Sequence, residues 1–558
     1  MSIALVIMFL GTAVLISVPL GRYLTWAMSD PVAETGLRVS MERVIVWVTG
    51  PAARREQNWK QYCLALLLFN VCMFIFVFAV LSIQQHLPLN PDRLGSIEPS
   101  LVFNTVVSFV TNTNLQHYSG ESTLSYFSQL GALMWLQFVS AATGIAALAA
   151  MARGLSGSVK IGNFYRDLLR ATLLFLVPVA FVVATTLVLG GIAMTFGGAI
   201  QATTLEGAVQ TIARGPVAAF VTIKQLGTNG GGFFGPNSTH SYENVSFFTN
   251  CVECLCIIII PMASVWMFGR ITGRMRHAAV IFTVMMMLFV CKVSWAVCWE
   301  SEPTASFAGL PVSTESSNLE GKELRFGATA APFWATATTS TSNGSVNAMH
   351  NSLNPLTGLA PLAGMWLNVT FGGVGVGMIN MFIYIIIGVF ICGMMVGRTP
   401  EYLARKVETR EMKLALIALL LHPLCILGGT AAFAATSWGI GTVKNPGARG
   451  FTEILYEFSS AAANNGSGYE GLGDNTIPWN LATGLVMLFC RYVPIILPLA
   501  IAGSLAAKKP VPESTGTFRT DTPMFGLVLL GSVALIGALL FLPVAVLGPI
   551  AEHLAGTL

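Results

Sequence analysis

Leu226-Gly-Thr-Asn-Gly-Gly-Gly-Phe-Phe-Gly235 is too polar and too rich in glycine to cross a membrane as a helix, yet it stands between long apolar segments. Three other stretches look like it: Val110-Thr-Asn-Thr-Asn-Leu-Gln116, Thr341-Ser-Asn-Gly-Ser345 and Ala463-Asn-Asn-Gly-Ser467. Aligned on Asn114, Gly230, Gly344 and Gly466, they lie 116, 114 and 122 residues apart by subtraction. A repeat missed is a fold misread, and four polar loops at one period suggest four copies of one unit around a shared site.

The chain around them is 54% hydrophobic and 10% charged over 558 residues, where a soluble domain carries about 25% charged residues. No polybasic tail points to nucleic acid. The apolar run 3–20 follows Met-Ser without a basic leader or a small-residue cleavage site, so it is expected to be a retained first span. The ten cysteines are scattered in apolar context. Cys251-Val-Glu-Cys254-Leu-Cys256 is the one cluster, and it lacks a second Cys or His pair; packing between helices is expected.

A spanning helix needs about 20 mostly apolar residues. Ten spans meet that requirement: 3–21, 63–83, 130–152, 168–190, 248–268, 278–298, 356–393 (interrupted), 413–437, 479–504 and 523–546. Each polar loop follows a half-length segment, 101–111, 204–226, 331–341 or 451–462. These predict re-entrant helices that stop inside the membrane and return as extended backbone, tolerated only where protein or a watery cavity surrounds it. The expected fold is an all-α polytopic membrane protein with about ten transmembrane helices. Four membrane–pore–membrane repeats with their four re-entrant pore loops are expected in a pseudo-four-fold arrangement. The boundaries read 1–37 for the first helix and link, 38–152, 153–269, 270–397 and 398–509 for the repeats, and 510–558 for the last helix. All copies share one topology, so the symmetry axis is normal to the membrane, unlike the inverted repeats common in secondary transporters.

Segments 38–60, 153–170, 270–276, 398–413 and 508–519 hold 5, 4, 3, 5 and 3 Lys and Arg, twenty of the thirty in the chain. They are alternate connections in the ten-span order. The positive-inside rule makes them cytoplasmic and puts the polar loops and both termini outside.

Rings of backbone carbonyls can replace the water shell of a monovalent cation without a net negative charge. Glycine permits the left-handed turns that aim successive carbonyls one way. No loop centre carries Asp or Glu, which argues against a divalent-cation filter and favours potassium. The first loop differs, with Asn114 where the others have Gly, followed by Gln116.

Three intramembrane features remain. Val369-Thr-Phe-Gly-Gly-Val-Gly-Val-Gly377 places four glycines inside span seven, where each costs about 1 kcal/mol against Ala in a helix interior. Two readings stand: a broken helix whose loop constricts or gates the path, or close packing through small residues. Arg491 lies well inside span nine, a costly place for a charge, and reads as a barrier to free leakage. Lys292 reads as snorkelling to the outer interface, and Lys224 as a cap or a partner of Glu243.

Several stretches resemble one known family. Asn58-Trp-Lys-Gln-Tyr62, Val110-Thr-Asn-Thr-Asn114, Tyr118-Ser-Gly-Glu121, Thr123-Leu-Ser-Tyr-Phe127, 226–234, Asn318-Leu-Glu-Gly-Lys-Glu323, Gly397-Arg-Thr-Pro-Glu-Tyr402 and Ala507-Lys-Lys509 are similar, in order and spacing, to the KdpA family. These are the potassium-binding, channel-like subunits of bacterial Kdp high-affinity potassium-transporting ATPases, in the superfamily of potassium transporters. The resemblance implies K+ as the transported ion and a bacterial cytoplasmic (inner) membrane location. It implies as partners a P-type ATPase subunit (KdpB), KdpC and the small KdpF, and a route for K+ through an outer filter and a tunnel toward the ATPase subunit. By that resemblance the filter is formed by Asn112, Thr113, Asn114, Gln116, Thr228, Asn229, Gly230, Gly231, Gly232, Asn343, Gly344, Ser345, Asn465, Gly466 and Ser467. The gating loop is Phe371, Gly372, Gly373, Gly375 and Gly377, and Arg491 is the inner-vestibule barrier. Leu115, Gly235-Pro236 and Val245 depart from the family pattern, where Trp, Asn-Ala and Pro are expected.

A self-sufficient channel or sodium-coupled symporter of the same superfamily is the rival reading; the first and last spans fit it less well. A membrane-embedded enzyme fits worst, because the chain lacks Asp-Lys-Thr-Gly, Gly-x-x-x-x-Gly-Lys-Ser/Thr and His-Glu-x-x-His. This chain therefore binds no nucleotide, and any ATPase is another chain. His117, His240, His350 and His422 are dispersed, with no second ligand at metal spacing in the sequence.

Overall fold

The computed structural model describes residues 3–31, 36–303, 311, 318–395, 397, 399–512 and 518–557. Arg398, one of the basic residues that bear on orientation, lies outside them. Ten helices among the described residues are long and apolar enough to cross a bilayer. Together with the four half-helices and the helix Pro355–Leu367 they are α1 (Ile3–Met28), α2 (Trp59–Ser82), α3 (Pro99–Val110), α4 (Ser128–Leu155), α5 (Phe164–Leu189), α6 (Val217–Leu226), α7 (Phe247–Ile271) and α8 (Met275–Glu300). The second half of the chain continues with α9 (Ala330–Ser340), α10 (Pro355–Leu367), α11 (Val376–Met395), α12 (Thr409–Ala434), α13 (Gly447–Ala463), α14 (Ile477–Ala506) and α15 (Pro523–Ala545).

The pattern helix, half-helix, loop, helix recurs four times: α2–α3–α4, α5–α6–α7, α8–α9–α10/α11 and α12–α13–α14. Local chemistry starts several of these elements. Asn58 and Gln61 form a reciprocal capping box at α2, and Ser246 and Thr249 do so at α7. Pro at the first position opens α3 and α10. The closing helices of the first three units are the most buried, over 83% of the apolar window of α4 and 78% of those of α7 and α11, whereas α1 is buried over 17%. They are enclosed by the rest of the chain, and α1 lies at its periphery. Ala141, Ala142, Ala146, Ala147, Ala149 and Ala150 of α4 are fully buried, small residues that let backbones approach where no hydrophobic force drives helices together.

The units close into a ring: α4 packs on α7, α7 on α9, α10 on α13, and α14 on α3. The peripheral α1 lies along α7, where a Cβ on Gly21 would stand 2.7 Å from that of Trp266. At the other end of the chain, α15 packs on α8 and α11.

Two expectations need correction. Segment 204–226 does not form one half-helix. Ile200–Thr203 and Val209–Ile212 pair as an exposed antiparallel hairpin, and α6 begins at Val217. Alternating β-branched residues and the left-handed Gly207 (φ 85°) suit a hairpin there. Lys292 does not snorkel. It is buried, and its Nζ donates to Ser340 Oγ at 2.7 Å. The interruption of span seven is present: α10 ends on the left-handed Asn368, and α11 starts at Val376.

Candidate functional site

All four half-helices end alike. In the first, the N–H groups of Thr113 and Asn114 both donate to Ser108 O, at 2.8 and 3.1 Å. In the second, Asn229 and Gly230 donate to Lys224 O at 3.0 and 3.1 Å. In the third and fourth, the carbonyl takes one and the hydroxyl the other: Asn343 to Thr338 O and Gly344 to Thr338 Oγ1, then Asn465 to Ser460 O and Gly466 to Ser460 Oγ, all at 2.9 Å. A planar trans peptide sets each carbonyl opposite the next N–H. Turning these N–H groups back into the half-helix therefore turns the preceding carbonyls away from it.

The dihedral pattern repeats as well. Left-handed residues fall in pairs two apart: Asn112 and Asn114 (φ 63° and 56°), Thr228 and Gly230 (48° and 83°), Ser342 and Gly344 (49° and 94°), Asn464 and Gly466 (51° and 104°). Asn114 thus occupies the backbone place of the three glycines, and asparagine is among the non-glycine residues most tolerant of that region.

Neighbouring loops touch backbone to backbone. A Cβ on Gly230 would fall 1.9 Å from Asn343 O, on Gly344 2.1 Å from Asn465 O, and on Gly466 2.1 Å from Thr113 O. The remaining corner is made differently. Asn114 has a Cβ, and Gly231 of the second loop gives way to it; a Cβ there would stand 2.9 Å from that of Asn114. The extra glycine of the second loop accommodates the asparagine of the first.

Side chains tie the ring. Asn112 Nδ2 donates to Gly227 O (3.2 Å) and Thr228 O (2.9 Å), and Asn229 Nδ2 donates back to Asn112 Oδ1 (2.8 Å). Asn343 Nδ2 reaches Lys224 O (3.2 Å), Asn465 Nδ2 reaches Thr338 O (3.0 Å), and Asn464 Nδ2 reaches Thr113 Oγ1 (2.9 Å). Within the third and fourth loops, the N–H groups of Ser345 and Ser467 donate to Asn343 and Asn465 Oδ1. Gln116 clamps Gly232, accepting from its N–H at 2.7 Å and donating to its carbonyl at 3.0 Å. All fifteen expected filter residues therefore belong to one ring, toward which the C-terminal, electronegative ends of four half-helices point. Such ends favour a cation.

Behind the second loop lies a buried polar network. Lys224 Nζ meets Glu243 Oε2 at 2.5 Å and Ser238 Oγ at 2.7 Å, so Lys224 pairs with Glu243. Glu243 Oε1 accepts from Phe234 N at 2.8 Å. Glu253 accepts from Gln225 and Ser238, and Gln225 Oε1 accepts from Ser345 of the third loop.

Segment 368–375 lies against these loops. Gly372 N donates to Ser340 O (2.9 Å), Val374 N to Thr228 Oγ1 (3.1 Å), and Ser342 Oγ to Asn368 Oδ1 (2.7 Å). Phe371, Gly372, Gly373 and Gly375 are left-handed. Gly377 falls outside the loop, in the first turn of α11, where a Cβ would collide with Phe371 O at 1.9 Å. Arg491 is buried on α14, and its Nη2 is 3.4 Å from Ser140 O. It makes no ion pair among the described residues. Ser140 Oγ in turn donates to Asn112, so Arg491 stands against the support of the first loop.

The departures from the family pattern are absorbed locally. Leu115 packs with Val107, Ala461 and Met487. Gly235 N donates to Glu121 at 2.7 Å, and Val245 O accepts from Arg325 at 3.0 Å.

One histidine gained partners that sequence spacing does not show. His117 lies with Glu457 and Asp474, one ligand atom of each within 4.8 Å of the others. Burial alone would lower the imidazole pKa, but the Asp474 and Glu457 carboxylates outweigh it and hold it at about 9. Burial pushes the Asp474 carboxyl up to about 7 against the pull of His117. These residues are some 340 and 357 positions away from His117 in the chain, so no local signal could have joined them. Among the described residues, His240, His350 and His422 join no such group. All ten cysteines are free; Cys63, Cys254, Cys256 and Cys490 are buried, whereas Cys72, Cys291 and Cys298 are exposed and not packed between helices of this chain.

Residues 7–554 match the family described as "Potassium-transporting ATPase A subunit", KdpA. A "Potassium-transporting ATPase potassium-binding subunit" from Geobacillus kaustophilus is 48% identical over 542 residues, 97% of each chain. Another so named, from Caldanaerobacter subterraneus, is 45% identical over 547 residues, 98% of each. Among solved structures, the potassium transporter TrkH from Vibrio parahaemolyticus aligns with 86% of this chain and 97% of its own, at 12% identity and a TM-score of 0.49. By the family match and by identity over nearly its whole length, this chain belongs to the KdpA family, the potassium-binding subunits of potassium-transporting ATPases.

Proposed function

We propose that the ring of four loops is the K+ filter of an ATP-driven high-affinity uptake complex. K+ enters from outside, is selected in the ring, and passes segment 368–375 and Arg491 toward a P-type ATPase subunit, KdpB, with KdpC and KdpF as further partners. The absence of a phosphorylation or nucleotide-binding motif from this sequence supports the division of labour. The reading places the chain in the bacterial cytoplasmic membrane, with both termini outside and with units at 38–152, 153–269, 270–397 and 398–509. In it, segment 368–375 gates the path and Arg491 opposes leakage.

The observation that carries this reading is the repeated corner: paired left-handed residues, N–H groups turned into the half-helix, and backbone contact with the next loop. Such a ring presents carbonyl oxygens without carboxylates, the donor set for a dehydrated monovalent cation. In Gly230→Ser the new Cβ meets Asn343 O. The expected result is a roughly tenfold or larger loss of apparent K+ affinity, the equivalent of 1.4 kcal/mol, in the K+-dependent ATPase activity of an assembled complex. Unchanged affinity in Gly230→Ser, Gly344→Ser and Gly466→Ser alike would sink the filter assignment. K+-selective uptake by this chain reconstituted alone, without ATP, would point to a channel.

A further inference from the structure

His117, Glu457 and Asp474 come from three different elements. His117 follows the first polar loop, Glu457 lies on α13, and Asp474 lies in the connection from α13 to α14. His117 and Glu457 are buried and Asp474 is half-buried. From this geometry we infer a binding site for a divalent transition-metal cation, Zn2+ in the first instance, at the outer rim of the ring, with His117, Glu457 and Asp474 as ligands.

The histidine is oriented for the task. Its Nδ1 lies 2.7 Å from Asn480 Oδ1, and Asn480 Nδ2 is committed to Ser100 Oγ and Asn475 Oδ1. The amide oxygen therefore faces the ring, and Nδ1 carries the proton. That leaves Nε2 for a metal, the outer-shell arrangement usual for ligating imidazoles. Nε2 is 3.1 Å from Glu457 Oε1, close to the ~3.3 Å edge between two ligands about 2.0 Å from one tetrahedral ion.

A second observation is independent of that pairing. Glu457 is fully buried, and its Oε2 has no hydrogen-bond partner among the described residues. A buried carboxylate oxygen left without a donor is costly, and a cation would remove the cost. Beside it Gly468 keeps the space open, since a Cβ there would stand 3.4 Å from Oε2. Asp474 closes the third side and, being half-buried, leaves a way in from outside. One imidazole with two carboxylates suits a borderline metal better than Mg2+ or Ca2+, which prefer all-oxygen sets. Three protein ligands leave a fourth position for water. On binding, the proton at Nε2 departs to solvent and its lone pair goes to the metal, with no change in oxidation state.

Occupation would join the first corner to the fourth, three residues from Asn114 and seven from Asn464. The test is direct metal binding to the full chain, purified with its native partners and stripped by a chelator, then titrated with Zn2+. One Zn2+ per chain is expected, with affinity at least tenfold weaker in both Asp474→Asn and Glu457→Gln. Co2+ in place of Zn2+ is expected to give the visible absorption of a four-coordinate site, lost in Asp474→Asn. Melting temperatures of both variants near that of the unsubstituted chain confirm that they fold. No Zn2+ retained, or equal affinity in the folded variants, would overturn the site. Because the readout is the metal itself, it stands or falls separately from the K+ filter.

Discussion

The junction of the first and second loops is built from a pair of residues. Asn114 brings a side chain where the other loops have none, and Gly231 yields the volume it needs. Asn114 Oδ1 accepts from Gln137 Nε2 at 3.1 Å, so the side chain is also held from α4. Gly231→Ala puts a methyl 2.9 Å from Asn114 Cβ and 3.0 Å from Phe109 Cζ. Overpacking of this kind costs about 1–3 kcal/mol. The expected outcome is weakened K+ binding by isothermal titration, partly restored in Gly231→Ala/Asn114→Gly, where one of the two obstructions is gone. Additive losses in the double variant would show that the two positions are independent.

Among the elements, α6 differs most from its three counterparts. Its Lys224 occupies the place held by Ser108, Thr338 and Ser460, whose carbonyls or hydroxyls hold the loop N–H groups. The backbone of Lys224 keeps that role while its side chain enters the Glu243–Ser238 network, with both charges fully buried. Removing one partner of such a pair leaves an uncompensated buried charge, a loss of about 3–5 kcal/mol. Lys224→Met is therefore expected to lower the melting temperature of the purified protein markedly, and Lys224→Met/Glu243→Gln to recover a substantial part. A single variant as stable as the unsubstituted chain would show that Glu243 has another compensating group. The α10–α11 break belongs to this scale too. Glycines make it possible, and bonds from Gly372, Val374 and Asn368 to three different polar loops or their half-helices give it a place.

For the whole molecule, orientation follows from charge. The exposed hairpin tip at Leu205 and the basic connection at Lys160 fall on opposite faces if the positive-inside rule holds. A cysteine at Leu205 is expected to react with a membrane-impermeant maleimide added to intact cells, and one at Lys160 only after permeabilisation, each read above the labelling of the unsubstituted chain. The reverse pattern would invert the topology and place the filter's wide connections inside.

The ten spans were legible because a bilayer demands about 20 apolar residues at a stretch, a local property of the chain. The half-helices and loops were legible because polar, glycine-rich sequence repeated at one spacing where a continuous helix cannot run. The part of the hairpin from 204 to 212 was misread as the start of a half-helix, since a stretch of β-branched residues and alanine beside an apolar segment carries no helical period of its own. What only tertiary structure decided is which residues meet across the ring. The match of Gly231 to Asn114, the reach of Lys292 to Ser340 and the gathering of Glu457 and Asp474 on His117 all join residues brought together by packing, and for Lys224 packing chose Glu243 from the two roles its sequence offered. Hydrophobic length and backbone permissiveness are written residue by residue. Contact between loops more than a hundred residues apart exists only once four units have closed on one another.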